Sequence, residues 1–169
     1  MASPRRSRRL RKAAVTAGLM VIFAAVAVLR PFPLPGPGGA PYGTVEKVFD
    51  GDTVLLADGR KVRYIGIDSP ELDSADPRKR ALAEEAREFN RSLVSGRRVE
   101  LEFDSEGQDK YGRTLAYVYI DGEFVNGRMV AEGLARARFY GDNERHLPRL
   151  RELEREAREK GLGIWAPTP

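Results

Sequence analysis

The sequence predicts an α+β domain in which five short strands form a small closed barrel, of the OB type, with three helices. Five short segments alternate hydrophobic and polar residues with a period of two, as strands do. One helical pattern follows the third strand, and two more follow the fifth. This order favours a closed barrel. The same strands would also fit an open sheet.

The first three strands are expected to form a meander. Residues 44–49 and 54–56 are the first two strands, and a tight turn joins them. Asp58 and Gly59 have the chemistry of a two-residue hairpin loop. The third strand, residues 60–67, should therefore pair back onto the second.

Two of the helices have recognisable boundaries. Asp76 is a predicted N-cap with Pro77 as the first helical residue, and Gly96 ends this first helix. Asn126 is a predicted cap of the second helix, which would contain Gly133. The first helix has a hydrophobic stripe at helical spacing, formed by Leu82, Ala86, Phe89 and Leu93.

The last two strands are predicted at residues 98–103 and 115–120, with a polar loop between them. Asp121 and Gly122 form a second hairpin signal. A C-terminal helix follows, with a stripe of leucines and with Pro148 in its first turn. Its charged residues alternate in sign, which is typical of a solvated face.

The composition suits a single globular domain with an extension. The 169 residues are 41% hydrophobic and include no cysteine, which excludes a disulfide framework and a thiolate metal site. The net charge of +4 comes from a basic N-terminus, because from residue 31 onward 22 Lys+Arg stand against 25 Asp+Glu, a balance of −3. Contacts with a polyanion must therefore depend on local clusters or a bound cation.

The N-terminus is organised as an export segment. Residues 1–12 are basic, residues 13–29 carry no charge, residues 30–42 are rich in Pro and Gly, and residues 43–166 form the folded domain. The uncharged run fits an uncleaved membrane anchor, a cleaved signal or, less well, a buried core helix. The first two interpretations place the domain outside the cytoplasm, anchored or secreted.

The third strand ends in a turn rich in carboxylates. Pro70 stops the strand, and Asp68 and Glu71 flank it, with Arg63 a few residues earlier. Asp52 lies in the turn at the same end of the first hairpin. Carboxylate oxygens suit a hard cation and a guanidinium suits a phosphate. This combination indicates a metal-assisted site for a phosphate ester.

With Arg113 at the start of the fifth strand, these residues resemble the staphylococcal nuclease (thermonuclease) family. The resemblance covers roughly residues 43–165. It is carried by residues 50–53, 63–71 and 109–119, and it continues through Asn126, residues 133–135 and residues 163–165.

The resemblance implies a Ca²⁺-dependent phosphodiesterase that cleaves DNA and RNA and leaves 3′-phosphates. It implies that Ca²⁺ is bound by Asp52, Asp68 and the main-chain carbonyl of Ser69, where the family has Thr. A main-chain ligand tolerates that exchange. It further implies that Glu71 is the catalytic carboxylate, as a general base or by positioning water, and that Arg63 and Arg113 bind phosphate.

Aromatic residues near this site are expected to contact the substrate. Lys110 and Tyr111 pair a cation with a ring. Phe139 or Tyr140 stands where the family has tyrosines that pack on the nucleotide. Because stacking needs an unstacked base, single-stranded nucleic acid is favoured. We expect the domain to act as a monomer.

The alternative function is a barrel that binds nucleic acid without cleaving it. Such a module would be expected to lack one of the acids or arginines, and all five are present. The single histidine, His146, is expected to have a structural role, because no triad or zinc pattern surrounds it.

Overall fold

The computed structural model describes residues 39–167. The predictions for residues 1–12, for residues 13–29 and for most of the linker lie outside this range. Within it, none of the helices has the length and apolar character needed to cross a membrane.

The described chain contains eight strands and three helices, followed by a short 3₁₀ turn. The strands are β1 (Tyr42–Val48), β2 (Thr53–Leu56), β3 (Lys61–Tyr64), β4 (Ile67–Asp68), β5 (Arg98–Glu102), β6 (Thr114–Ile120), β7 (Glu123–Phe124) and β8 (Arg136–Ala137). The helices are α1 (Pro77–Val94), α2 (Val125–Ala131) and α3 (Leu147–Glu159), and the 3₁₀ turn is Gly163–Trp165.

Five of the strands close into a barrel. They lie in the order β3-β2-β1-β5-β6, and a parallel pairing of β3 with β6 joins the two edges. In that pairing Val62 is opposite Thr114 and Tyr64 is opposite Ala116. The predicted closed barrel of the OB type with three helices is confirmed, and the open sheet is excluded.

Alternating β-branched residues fill the barrel because they fit a pleated surface and expose little area when packed. The buried valines come from all five barrel strands: Val45, Val54, Val62, Val99 and Val118. Tyr64 is also buried, and its hydroxyl donates to Asn90 Oδ1 at 3.0 Å.

The hydrophobic stripe predicted for α1 is confirmed at Ala86, while its other members, Leu82, Phe89 and Leu93, are only partly buried. Ala83, Ala86, Asn90 and Val94 face the core. Asn90 tolerates burial because its amide nitrogen donates to the carbonyl of Asp50 at 3.0 Å and its oxygen accepts from Tyr64. A pattern based on hydrophobicity alone does not predict that Asn90 is buried.

The second helix also differs from its prediction. It begins after Phe124 and ends at Ala131, so Asn126 lies inside it and Gly133, with φ of +69°, lies beyond its end. The buried Asn126 side chain accepts from the Val118 amide at 2.9 Å and donates to the Ile65 carbonyl at 2.8 Å. It therefore connects the helix to the barrel instead of capping the helix.

Both predicted hairpins are present. Asp121 and Gly122, with φ of 49° and 81°, form a two-residue loop between β6 and β7. The β2–β3 loop is one residue longer than predicted, because the Leu56 amide donates to the Arg60 carbonyl at 2.9 Å and leaves three residues outside the ladder.

Candidate active site

A sharp bend at Gly66 shortens the third strand and carries the acidic turn. The strand ends at Tyr64, not at residue 67 as predicted, and β4 then pairs with β8. Gly66 has φ of +77°, and an added Cβ would lie 2.8 Å from Leu150 Cδ1 and 2.9 Å from Phe139 Cε1. A residue with a side chain would therefore be strained and crowded here.

The bend brings the acidic turn against the loop between β1 and β2. Asp52 is buried there, and its Oδ2 accepts a hydrogen bond from the Ser69 amide at 2.7 Å. Its Oδ1 accepts from the Thr53 hydroxyl at 3.0 Å, and Asp50 Oδ1 accepts from the Asp52 amide at 2.9 Å. Burial raises the pKa of Asp52 to about 7, an effect that Arg63 opposes and Asp50 reinforces.

Arg63 links the two aspartates. Its Nη1 lies 2.9 Å from Asp52 Oδ1, and its Nη2 lies 3.2 Å from Asp68 Oδ1. Nη1 also donates to the Ile67 carbonyl at 2.9 Å. One guanidinium therefore contacts both carboxylates, which lie on either side of it and hold Arg63 in a fixed orientation.

Arg113 is oriented by Asp109. Its Nε donates to Asp109 Oδ2 at 2.6 Å, while Asp109 Oδ1 accepts from the amides of Tyr111 and Arg113 at 2.9 and 3.0 Å. Burial raises the pKa of Asp109, but the hydrogen bonds from Arg113 and Tyr111 outweigh it and leave the pKa below its usual value. The loop therefore holds the Arg113 guanidinium in an ion pair with the Asp109 carboxylate.

One cleft of about 720 Å³, a size suited to a nucleotide-sized ligand, is lined by Arg63, Asp68, Asp109 and Arg113 but not by the buried Asp52. Tyr111 and Tyr140 are 72% and 61% exposed, so both rings are accessible to a ligand. The lining includes Arg63, Asp68, Glu71, Lys110, Tyr111, Arg113, Arg138 and Tyr140.

Glu71 lies in this cleft among other acids. Burial raises the pKa of its carboxyl, and the nearby charges of Asp50, Asp68 and Asp73 raise it further, against the effect of Arg63. A carboxylate with a raised pKa accepts a proton more readily than one with the usual pKa.

Phe139 has a different position from Tyr140. Its ring packs against the core beside Gly66 and Leu150, while Tyr140 is the ring that faces the cleft. Of the two residues predicted as alternatives for stacking, the geometry therefore favours Tyr140.

Three further charged residues belong to the site and were not predicted as part of it. Asp50 supports the loop of Asp52, Asp109 orients Arg113, and Arg138 donates to Asp68 Oδ2 at 3.0 Å. Both turns have a signal in the sequence, because Asp50 directly precedes Gly51 and Asp109 lies three residues before Gly112. No pattern marks Arg138, because β8 has only two residues.

Among residues 39–167 there is no group of three or more His, Cys, Asp or Glu side chains arranged to hold a metal. Asp52 and Asp68 would supply two carboxylate ligands to a cation. Since no third acidic side chain in this range completes the group, any further oxygen ligand would have to come from main-chain groups or water.

Comparison with known proteins agrees with this arrangement. A family model described as "Staphylococcal nuclease homologue" matches residues 61–167. A thermonuclease from Staphylococcus intermedius is 36% identical over 164 residues, covering 89% of this chain and 97% of that protein. Endonuclease YncB from Bacillus subtilis is 38% identical over 128 residues, covering 73% of this chain and 61% of that protein. With this barrel and this cleft, the chain belongs to the staphylococcal nuclease family.

Proposed function

We propose that this chain is a Ca²⁺-dependent nuclease that hydrolyses phosphodiester bonds of DNA and RNA, without sequence specificity, to 3′-phosphate products. The proposal is supported by one cleft that Asp68, Glu71, Arg63 and Arg113 all line. The buried Asp52 contacts Arg63 at 2.9 Å. The names of the relatives, thermonuclease and endonuclease, support the same reaction class.

The acidic pair fits a hard divalent cation. Asp52 is a buried carboxylate whose pKa is raised by that burial, so a nearby cation would favour its charged form. Asp52 and Asp68, together with the Ser69 carbonyl, would hold Ca²⁺. When bound, Ca²⁺ withdraws charge from a phosphoryl oxygen.

Arg63 and Arg113 bind the non-bridging oxygens of the scissile phosphate. Each is already oriented by carboxylates, so little reorganisation accompanies the build-up of negative charge. Losing one such donor typically lowers the rate on the order of 10²–10³-fold.

Glu71 accepts the proton of the attacking water, or orients that water. The water oxygen forms a bond to phosphorus as the bond from phosphorus to the 5′-oxygen breaks, and the 5′-oxygen takes up a proton. The position of Glu71 in the cleft and its raised pKa support this role.

The two exposed tyrosines favour single-stranded substrate. Tyr111 has Lys110 Nζ at 5.1 Å from its ring centre, and both residues border the cleft. Rings of this kind stack on any base that is free of its neighbours.

For location, we propose that residues 13–29 act as an anchor or a cleaved signal and that the monomeric domain works outside the cytoplasm. The uncharged run after a basic segment supports this orientation. N-terminal sequencing of the mature protein tests whether the segment is removed.

The test is degradation of single-stranded and plasmid DNA with Ca²⁺, with chelator, and with Glu71→Gln. We expect degradation only with Ca²⁺ and a loss of at least about 100-fold in Glu71→Gln. Glu100→Gln, an exposed change on β5, is the control and should retain full activity. DNA binding without degradation under every condition would favour a non-catalytic binding module.

A further inference from the structure

Arg138 is a third arginine in the cleft, and the roles given above to Arg63 and Arg113 do not account for it. Its guanidinium Nη1 lies 3.0 Å from Asp68 Oδ2, whereas Arg63 contacts the other oxygen of that carboxylate, Oδ1. The backbone amide of Arg138 donates to the Gly66 carbonyl at 3.0 Å. The bend that carries Asp68 therefore also fixes the backbone position from which the Arg138 side chain extends.

This arginine is available to a ligand. Its side chain is 58% exposed, and within residues 39–167 neither its Nε nor its Nη2 donates a hydrogen bond to protein. An ion pair so exposed contributes little to stability. Its contact with Asp68 is therefore readily exchanged for a contact with an anion in the cleft.

Arg138 also has an aromatic partner. Its guanidinium carbon lies 5.1 Å from the centre of the Tyr140 ring, and both residues line the cleft. On the other side of the site Arg113 lies 5.6 Å from the Tyr111 ring. The cleft thus has two pairs of arginine and tyrosine, and a nucleotide offers a phosphate and a base that match such a pair.

We propose that Arg138 forms a second phosphate subsite, in which its guanidinium binds the phosphate next to the scissile one. The proposal rests on the proposed function, since it concerns the same substrate. It extends that function by assigning recognition of a second phosphate.

The test compares short single-stranded oligonucleotides in which one phosphate at a time is replaced by a neutral methylphosphonate. In the wild-type chain, neutralising one flanking phosphate should lower kcat/KM about tenfold. The Arg138→Gln variant should have a kcat/KM about tenfold below that of the wild type on the unmodified substrate. Neutralising that phosphate should not lower the kcat/KM of this variant any further. Arg136→Gln is the matched control, because its guanidinium lies against Trp165, 5.1 Å from the ring centre.

A role limited to holding Asp68 predicts a different result. Arg138→Gln would then slow all substrates equally, raise the Ca²⁺ concentration needed for half-maximal activity, and leave the effect of each methylphosphonate unchanged. That result would overturn the proposal.

A binding measurement separates this inference from the nuclease assignment. Fluorescence anisotropy of the same oligonucleotides, in a Glu71→Gln background, reports the Arg138 contact without cleavage. If Arg138→Gln and one flanking methylphosphonate weaken binding by less together than the sum of their separate effects, the subsite is supported even if no cleavage is found. Cleavage without such coupling retains the nuclease and refutes the subsite.

Discussion

At the scale of single residues, Asp109 provides a direct test of how Arg113 is oriented. Asp109→Asn keeps an oxygen for the loop amides but removes the charge that holds the Arg113 Nε at 2.6 Å. We expect kcat to fall on the order of tenfold with little change in KM, because Arg113 acts on charge that develops in the transition state. Steady-state kinetics on a short oligonucleotide measures both.

Asp58 is a matched control for this substitution. Its carboxylate accepts from the Arg60 amide at 3.1 Å and from Arg60 Nε at 2.9 Å, the same arrangement in a hairpin loop. Asp58→Asn should change stability in a similar way and leave kcat unaltered. An equal loss of activity in both variants would contradict the role given to Asp109.

The residues predicted from the sequence are those whose type alone is informative. Asp52, Asp68 and Arg63 stand in a recognisable pattern, and the structure brings them within ion-pair distance. Arg138 could not be predicted, because its role depends on a two-residue strand that carries no periodic signal.

At the scale of elements, the bend between β3 and β4 positions the acidic turn. Gly66→Ala would place a Cβ against Leu150 and Phe139 in a backbone conformation with φ of +77°. Left-handed strain costs roughly 1–2 kcal/mol, and the clash adds to it. We expect a lower Tm and, because Asp68 moves with the bend, a loss of nuclease activity.

Gly59→Ala separates strain from crowding. Gly59 has φ of +87°, but an added Cβ would meet no described atom within 4 Å. This variant should show the strain cost of about 1 kcal/mol and normal activity. If Gly66→Ala lowers Tm and activity no more than Gly59→Ala does, close packing against Leu150 and Phe139 does not fix the bend.

Hydrophobic periodicity predicted the elements but missed their polar connections. Asn90 and Asn126 are fully buried, and each satisfies a backbone group of a neighbouring segment. A buried amide looks like a surface residue in a hydrophobicity pattern. For this reason the predicted face of α1 lacked Asn90, and Asn126 was placed at the start of α2 instead of inside it.

The start of α3 is attached to the barrel by a hydrogen-bonded cluster around Glu102. Its carboxylate contacts Arg145 Nη1 at 2.8 Å, the Tyr119 hydroxyl at 2.8 Å and His146 Nε2 at 3.0 Å. Burial raises the pKa of Glu102, but these hydrogen bonds outweigh it, so the pKa lies below its usual value of 4.5.

A lowered pKa in the folded state contributes stability that is present above 4.5 and is lost as the pH falls through the folded-state pKa. Glu102→Gln should therefore have a lower Tm than the wild type at about pH 7, and the difference should shrink toward about pH 3. Thermal melts across this range measure it, with Glu100→Gln as control. A difference that is constant with pH would contradict this linkage.

At the scale of the whole molecule, function depends on where charges converge and not on how many there are. The chain from residue 31 onward carries a balance of −3, yet the cleft brings together Arg63, Lys110, Arg113 and Arg138. The sequence predicted the barrel because its strands and hairpins are local signals. Which loops meet at the barrel rim depends on closure by β3 and β6, which no local signal specifies.

We expect Asp52 and Asp68 to share one Ca²⁺ beside Arg63, at the edge of this cleft. The most direct measurement is the change in Tm of the full chain on adding Ca²⁺, in the wild type, Asp52→Asn, Asp68→Asn and the double variant. At about ten times the Kd, the wild-type Tm should rise by roughly 3–6 °C, and each single substitution should abolish the rise. A rise of the same size in Asp52→Asn or Asp68→Asn would show that the two aspartates do not share the ion.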